Sequence, residues 1–68
     1  MNTIREVEIV RVRSTTTGVL VEAGVHLAGD NVWITERFAA PRRAIGWTEA
    51  RLRGWVREMA EKRHGADA

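Results

Sequence analysis

No cysteine and no tyrosine occur in this 68-residue chain, and serine, proline, phenylalanine and lysine occur once each. Without cysteine there is neither a disulfide nor a thiolate metal site, two of the usual supports of a domain this small. The two histidines, His26 and His64, have no further ligand at a recognisable spacing, so neither metal nor cofactor is expected. Nucleophiles are equally scarce. The lone serine, Ser14, falls in a polar turn, and no base is spaced to activate it. Glu6 and Glu8 share one face of a strand, but a solvated strand edge explains such a pair better than acid–base chemistry does. A short chain also has little means of enclosing a water-excluded pocket. The expectation is a protein that binds rather than catalyses.

Long apolar runs are missing too. No segment approaches the ~18 apolar residues of a membrane span, and the start, Met1 to Glu6, lacks the apolar core of a signal peptide. A cytoplasmic protein, with no membrane contact, is expected. A domain of this length buries only about 60% of its unfolded surface. Self-association, as a homodimer or other homo-oligomer, is therefore the expected extra source of stability.

The net charge of +2 conceals an asymmetry. Residues 1 to 36 carry three arginines against five acids, and residues 37 to 68 carry eight bases against four acids. Ten of the eleven bases are arginine, whose planar fork suits phosphate and carboxylate, although a GC-rich genome explains the same preference.

Ile4 to Arg13 reads as a strand whose alternation slips. Val7 and Ile9 lie on one face, while Ile4, Val10 and Val12 lie on the other. The adjacent pair Ile9-Val10 marks either a β-bulge or a strand buried on both sides. Ser14 to Gly18 is a polar turn, with Gly18 available for a positive φ. Val19, Val21, Ala23, Val25 and Leu27 then alternate with period two as a second strand, in which Gly24 marks a weak point or a bend. A turn at Gly29-Asp30-Asn31 leads into a third strand, from Val32 to about Phe38. Pro41 excludes an inner strand beyond it. Ala44 to Trp47 is either a connector or a short fourth strand.

Thr48 is placed to cap a helix from about Glu49 to Arg63, with Glu49 at the positive end of its dipole. Leu52, Trp55, Val56 and Met59 fall at i, i+3, i+4 and i+7 as one apolar stripe. Gly54 is costly in mid-helix unless it permits close approach to the sheet. Gly65 is a C-terminal stop, followed by a frayed tail. The pattern is α+β: a three-stranded antiparallel β-meander, with four strands as the alternative, followed by one C-terminal amphipathic α-helix packed on one sheet face. It spans a single domain, residues 1–68.

The strongest functional signal is arginine interleaved with aromatics from Arg37 onward. Within the helix, Glu49–Arg53, Arg57–Glu61 and Glu58–Lys62 are spaced as ordinary i,i+4 surface pairs. Arg37, Arg42, Arg43 and Arg51 lack an obvious partner and are the candidate phosphate contacts. Trp55 belongs to the core stripe, and Trp47 precedes the cap as a hydrophobic staple or as a stacking group. Trp33 is core if the helix covers its side of the sheet. If the helix covers the Val32 side, Trp33 is an exposed hot spot beside Thr35 and Arg37. The candidate binding set is Trp33, Arg37, Arg42, Arg43, Trp47 and Arg51. His26 reads as a satisfied strand histidine, and His64 as a favourable charge at the helix end.

Asn31-Val32-Trp33-Ile34, then Ala40-Pro41, then a basic helix, faintly resembles the end of the carbon storage regulator RNA-binding proteins. The likeness covers about half the chain. That family's N-terminal strand with an arginine pair is absent, and two extra residues precede Ala40-Pro41, so the likeness adds only slightly to an RNA reading. In outline the chain is also similar to small phage proteins that inhibit host defence or transcription by docking on a host protein. Two expectations follow: a basic nucleic-acid-binding regulator, or a phage-type inhibitor or adaptor whose partner is a host protein.

Overall fold

The computed structural model describes residues 4–29 and 32–65. Three antiparallel strands, β1 (Ile4–Ser14), β2 (Val19–Leu27) and β3 (Val32–Ala40), form one sheet in the order β1-β2-β3. A 3-10 turn (Arg42–Gly46) and helix α1 (Glu49–Gly65) follow, and α1 lies on one face of the sheet. The fold is α+β, as the periodicities imply. Ala44 to Trp47 adds no fourth strand, because the chain after Pro41 coils into the 3-10 turn and buries Ala44. The turn expected at Asp30 and Asn31 and the frayed tail lie outside the described residues.

The slipped alternation of β1 has a physical cause. Its register against β2 shifts twice, between Ile4 and Glu6 and between Ile9 and Arg11, so that Arg5 and Val10 are extra residues. Each insertion reverses the faces beyond it. Ile4, Val7, Ile9 and Val12, of mixed parity in the sequence, thereby all fall opposite the core-facing set of β2: Leu27, Val25, Ala23 and Val21. Val10, the second insertion, is left 62% exposed.

All five alternate residues of β2 from Val19 to Leu27 are buried, as a central strand under a helix requires. From β3 the core takes Phe38 and Ala40, with Ile34 packed at its margin. The helix closes it with Leu52, Val56 and Ala60, flanked by the half-buried Trp55 and Met59. The stripe is thus centred one column away from the one expected. The small Ala60 lies fully inside, and Trp55 is a rim residue rather than a core residue.

Local chemistry fixes the joints. Thr48 caps the helix, its Oγ1 accepting from the Arg51 N–H at 3.2 Å. In the β1–β2 turn, the Thr15 Oγ1 accepts from the Gly18 N–H at 3.0 Å, and the Thr15 N–H donates to the Gly18 carbonyl at 2.8 Å. Gly18 is needed for space and not for a positive φ, since a Cβ there would lie 2.6 Å from the Ala40 carbonyl oxygen. Gly54 corrects a second expectation. A Cβ at Gly54 would meet nothing within 4 Å, so this glycine faces solvent and allows no close approach.

Charged side chains of α1 tie the helix to both outer strands. Arg57 donates to the Ile4 carbonyl at 2.8 Å, at the first bulge of β1. On the other side, Arg63 lies 3.7 Å and His64 2.9 Å from the Glu36 carboxylate of β3, while the Arg63 guanidinium sits over the Phe38 ring. His64 is thus held by a specific partner and is not merely a charge at a fraying end.

Candidate functional site

The helix covers the Val32–Ile34 side of β3, which leaves Trp33 on the open side, 49% exposed. The register assembles that open face as four rows across the three strands: Glu6–His26–Trp33, Glu8–Gly24–Thr35, Arg11–Glu22–Arg37 and Arg13–Leu20–Ala39. Trp33 stacks on His26, with centroids 4.8 Å apart and planes within 8°. At its paired positions the face balances three acids against three arginines, with the bulge residues Arg5 and Val10 standing outside the four rows. Glu22 sits between Arg37 at 3.3 Å and Arg11 at 4.0 Å. Arg37, expected to be unpaired, therefore has a carboxylate partner that only the strand register reveals.

The remaining candidates lie elsewhere. Ala44 packs into the core beneath the helix, so the 3-10 turn and the start of α1 belong to the covered side of the sheet. There Arg43, Trp47, Arg51, Gly54, Trp55 and Glu58 line an open groove of about 390 Å³. The Arg51 guanidinium lies 4.6 Å over the Trp47 ring, and Trp47 tilts against Trp55 at 6.3 Å. Arg42, beside this group in sequence, donates to the Thr16 carbonyl of the β1–β2 turn. The sequence set therefore divides in two, with Trp33 and Arg37 on the open face and Arg42, Arg43, Trp47 and Arg51 on the ridge formed by the 3-10 turn and the helix start.

Among the described residues, the later helix arginines each have a carboxylate: Arg53 with Glu49 at 2.8 Å, Arg57 with Glu61 at 3.4 Å, and Arg63 with Glu36. Arg42, Arg43 and Arg51 form no ion pair with any described residue. Trp47 is half-buried, with one side turned to Trp55 and Arg51 over the ring, so it supports Arg51 rather than offering a free stacking surface. A second groove, about 610 Å³, runs between β1 and the first turns of α1. Its arginines, Arg53 and Arg57, are the ones already committed to Glu49 and Glu61. No group of three or more metal-ligating side chains occurs among the described residues, and no helix there is long and apolar enough to cross a membrane. No family model, curated protein or solved structure matches the chain, so the faint likeness to the carbon storage regulator proteins gains no support from comparison.

Proposed function

We propose that the chain is a non-catalytic, nucleic-acid-binding regulator of the cytoplasm, which grips backbone phosphates with Arg42, Arg43 and Arg51. One observation carries this reading. These three arginines cluster on one ridge without ion-pair partners among the described residues, whereas the arginines further along α1 are neutralised by carboxylates. Arg42 spends one donor on the Thr16 carbonyl, which leaves the rest of its fork for a phosphate. Arg51 is held over Trp47, an orientation that keeps its guanidinium extended while leaving its edge donors open.

Contacts of this kind carry no base readout, so binding is sequence-tolerant and governed by salt. Three phosphate contacts weaken binding roughly 20- to 40-fold between 50 and 200 mM salt, the lower figure for single strands. Titration of a fluorescent single strand and a duplex across that range tests the reading. Binding to neither, or binding insensitive to salt, would sink it. The open sheet face supports a second reading for that surface. Its charges balance and Trp33 stands exposed on it, which suits a protein partner rather than phosphate.

A further inference from the structure

The charges on the open face are ordered as well as balanced. The Glu6 and Glu8 rows each carry a net negative charge, and the Arg11 and Arg13 rows each carry a net positive one. Size is ordered along β3 in the same way. Bulky Trp33 stands two rows from the centre on one side, and small Ala39 stands two rows from it on the other.

We propose that this face is self-complementary, and that a second copy of the chain docks on it about a two-fold axis lying across the strands between the Gly24 and Glu22 rows. That rotation places each row on the row of opposite sign. Glu6 meets Arg13 of the second copy, Glu8 meets Arg11, and Trp33 meets Ala39, each contact occurring twice as an isologous interface demands. Leu20 comes against the His26 ring, and Glu22 comes against Gly24, where it meets the edge of the Trp33 indole that lies over that glycine. A two-fold axis along the strands would instead set each row on itself, with Glu22 on Glu22 and Arg11 on Arg37. It would also leave Glu6, Glu8 and Arg13 facing uncharged residues, so like-charge repulsion and the lost pairs reject it. Charge order alone thus selects one of the two face-to-face arrangements.

The geometry tolerates the docking. Aligned sheets pack at about 30° to each other, so the central rows stay opposed while the outer rows shift sideways by distances that Glu and Arg side chains span. Glu22 is already paired with Arg11 and Arg37 within its own chain, so covering it strands no charge. Three strands ~4.8 Å apart and four rows ~6.8 Å apart give a face on the order of 400 Å² per copy. Two such faces fall below the ~1,200 Å² of a standard interface. The dimer is accordingly reversible and sensitive to salt. The inference uses none of the ridge arginines, and it names the partner that the balanced face calls for.

Sedimentation equilibrium of nucleic-acid-free protein over a concentration series tests it. The expected result is a monomer–dimer equilibrium that shifts toward monomer as salt rises. Glu6→Arg and Arg13→Glu each weaken the dimer by about tenfold, and combining them restores it to within about threefold, because each reversed residue then faces the other. Ala39→Arg, on an exposed position, blocks the seat of Trp33 and abolishes the dimer while the circular dichroism of the fold is unchanged. A chain that stays monomeric at millimolar concentration overturns the proposal, whether or not it captures another protein. So does a dimer indifferent to all three single substitutions, since its contact would lie on another surface. Because Arg42, Arg43 and Arg51 are untouched throughout, failure of the dimer and failure of nucleic-acid binding are read separately.

Discussion

The benzo edge of Trp33 lies across Gly24, so close that a Cβ on that glycine would sit 3.3 Å from Cε3 of the indole. The contact gives the glycine of β2 a role that strand propensity alone does not. Glycine weakens a strand, and an aromatic from the neighbouring strand fills the space it leaves.

Gly24→Val therefore meets two opposed effects. A β-branched residue suits the strand, but its methyls collide with the Trp33 ring at a cost of about 1–3 kcal/mol. Chemical denaturation of the single variants and the double variant separates the terms. In the Trp33→Ala background the same valine is expected to stabilise, and a loss of equal size in both backgrounds would refute the coupling.

Two other glycines behave oppositely. Gly18→Ala drives a Cβ onto the Ala40 carbonyl oxygen, a backbone atom that cannot swing aside, and costs about 1–3 kcal/mol. Gly54→Ala meets open space on an exposed helix position and stabilises by about 0.5–1 kcal/mol. Thermal melts of the two variants should move in opposite directions from the parent.

Glu36 holds the end of the helix to β3 through Arg63 and His64, with its own side chain only 17% exposed. Glu36→Ala is expected to cost about 1 kcal/mol, in the range of a partly shielded ion pair. Its effect should be local. Amide exchange in the last turn of α1 accelerates, while exchange in β2 follows only the small global change.

On the ridge, Arg43→Ala should reduce the salt slope of nucleic-acid binding by about one contact's worth, ~0.9 on a duplex. Arg53→Ala, at a position neutralised by Glu49, should leave the slope almost unchanged. Equal effects from the two substitutions would show that overall charge, and not the ridge, governs binding.

Much of the fold was legible in the residues. The strict alternation from Val19 to Leu27 marks a central strand with one covered face, and all five of those residues are buried. The broken parity at Ile9-Val10 marks a bulge or a strand covered on both faces, and the register decides for the bulge, which keeps one apolar face by inserting a residue where the pattern slips. The bulge at Arg5 leaves a weaker mark, because only Ile4 precedes it to set the parity from which Val7 departs. The covered face of β3 was also within reach: Val32, Ile34, Phe38 and Ala40 share one parity and outweigh the lone Trp33 on the other.

What the sequence determined by itself is the order of elements, the cap at Thr48 and the apolar set of β2, since these follow from local spacing and backbone chemistry. Tertiary structure alone decided which charges far apart in the sequence meet. Arg37 and Glu22 are fifteen residues apart, Arg63 and Glu36 twenty-seven, and their pairing depends on strand register and helix placement. The same register sorts the open face into acidic and basic rows, and it separates Trp33 and Arg37 from the arginine ridge with which they had been grouped. Long-range contacts carry no periodic signature, so a candidate site that reads as continuous along the chain folds into two surfaces.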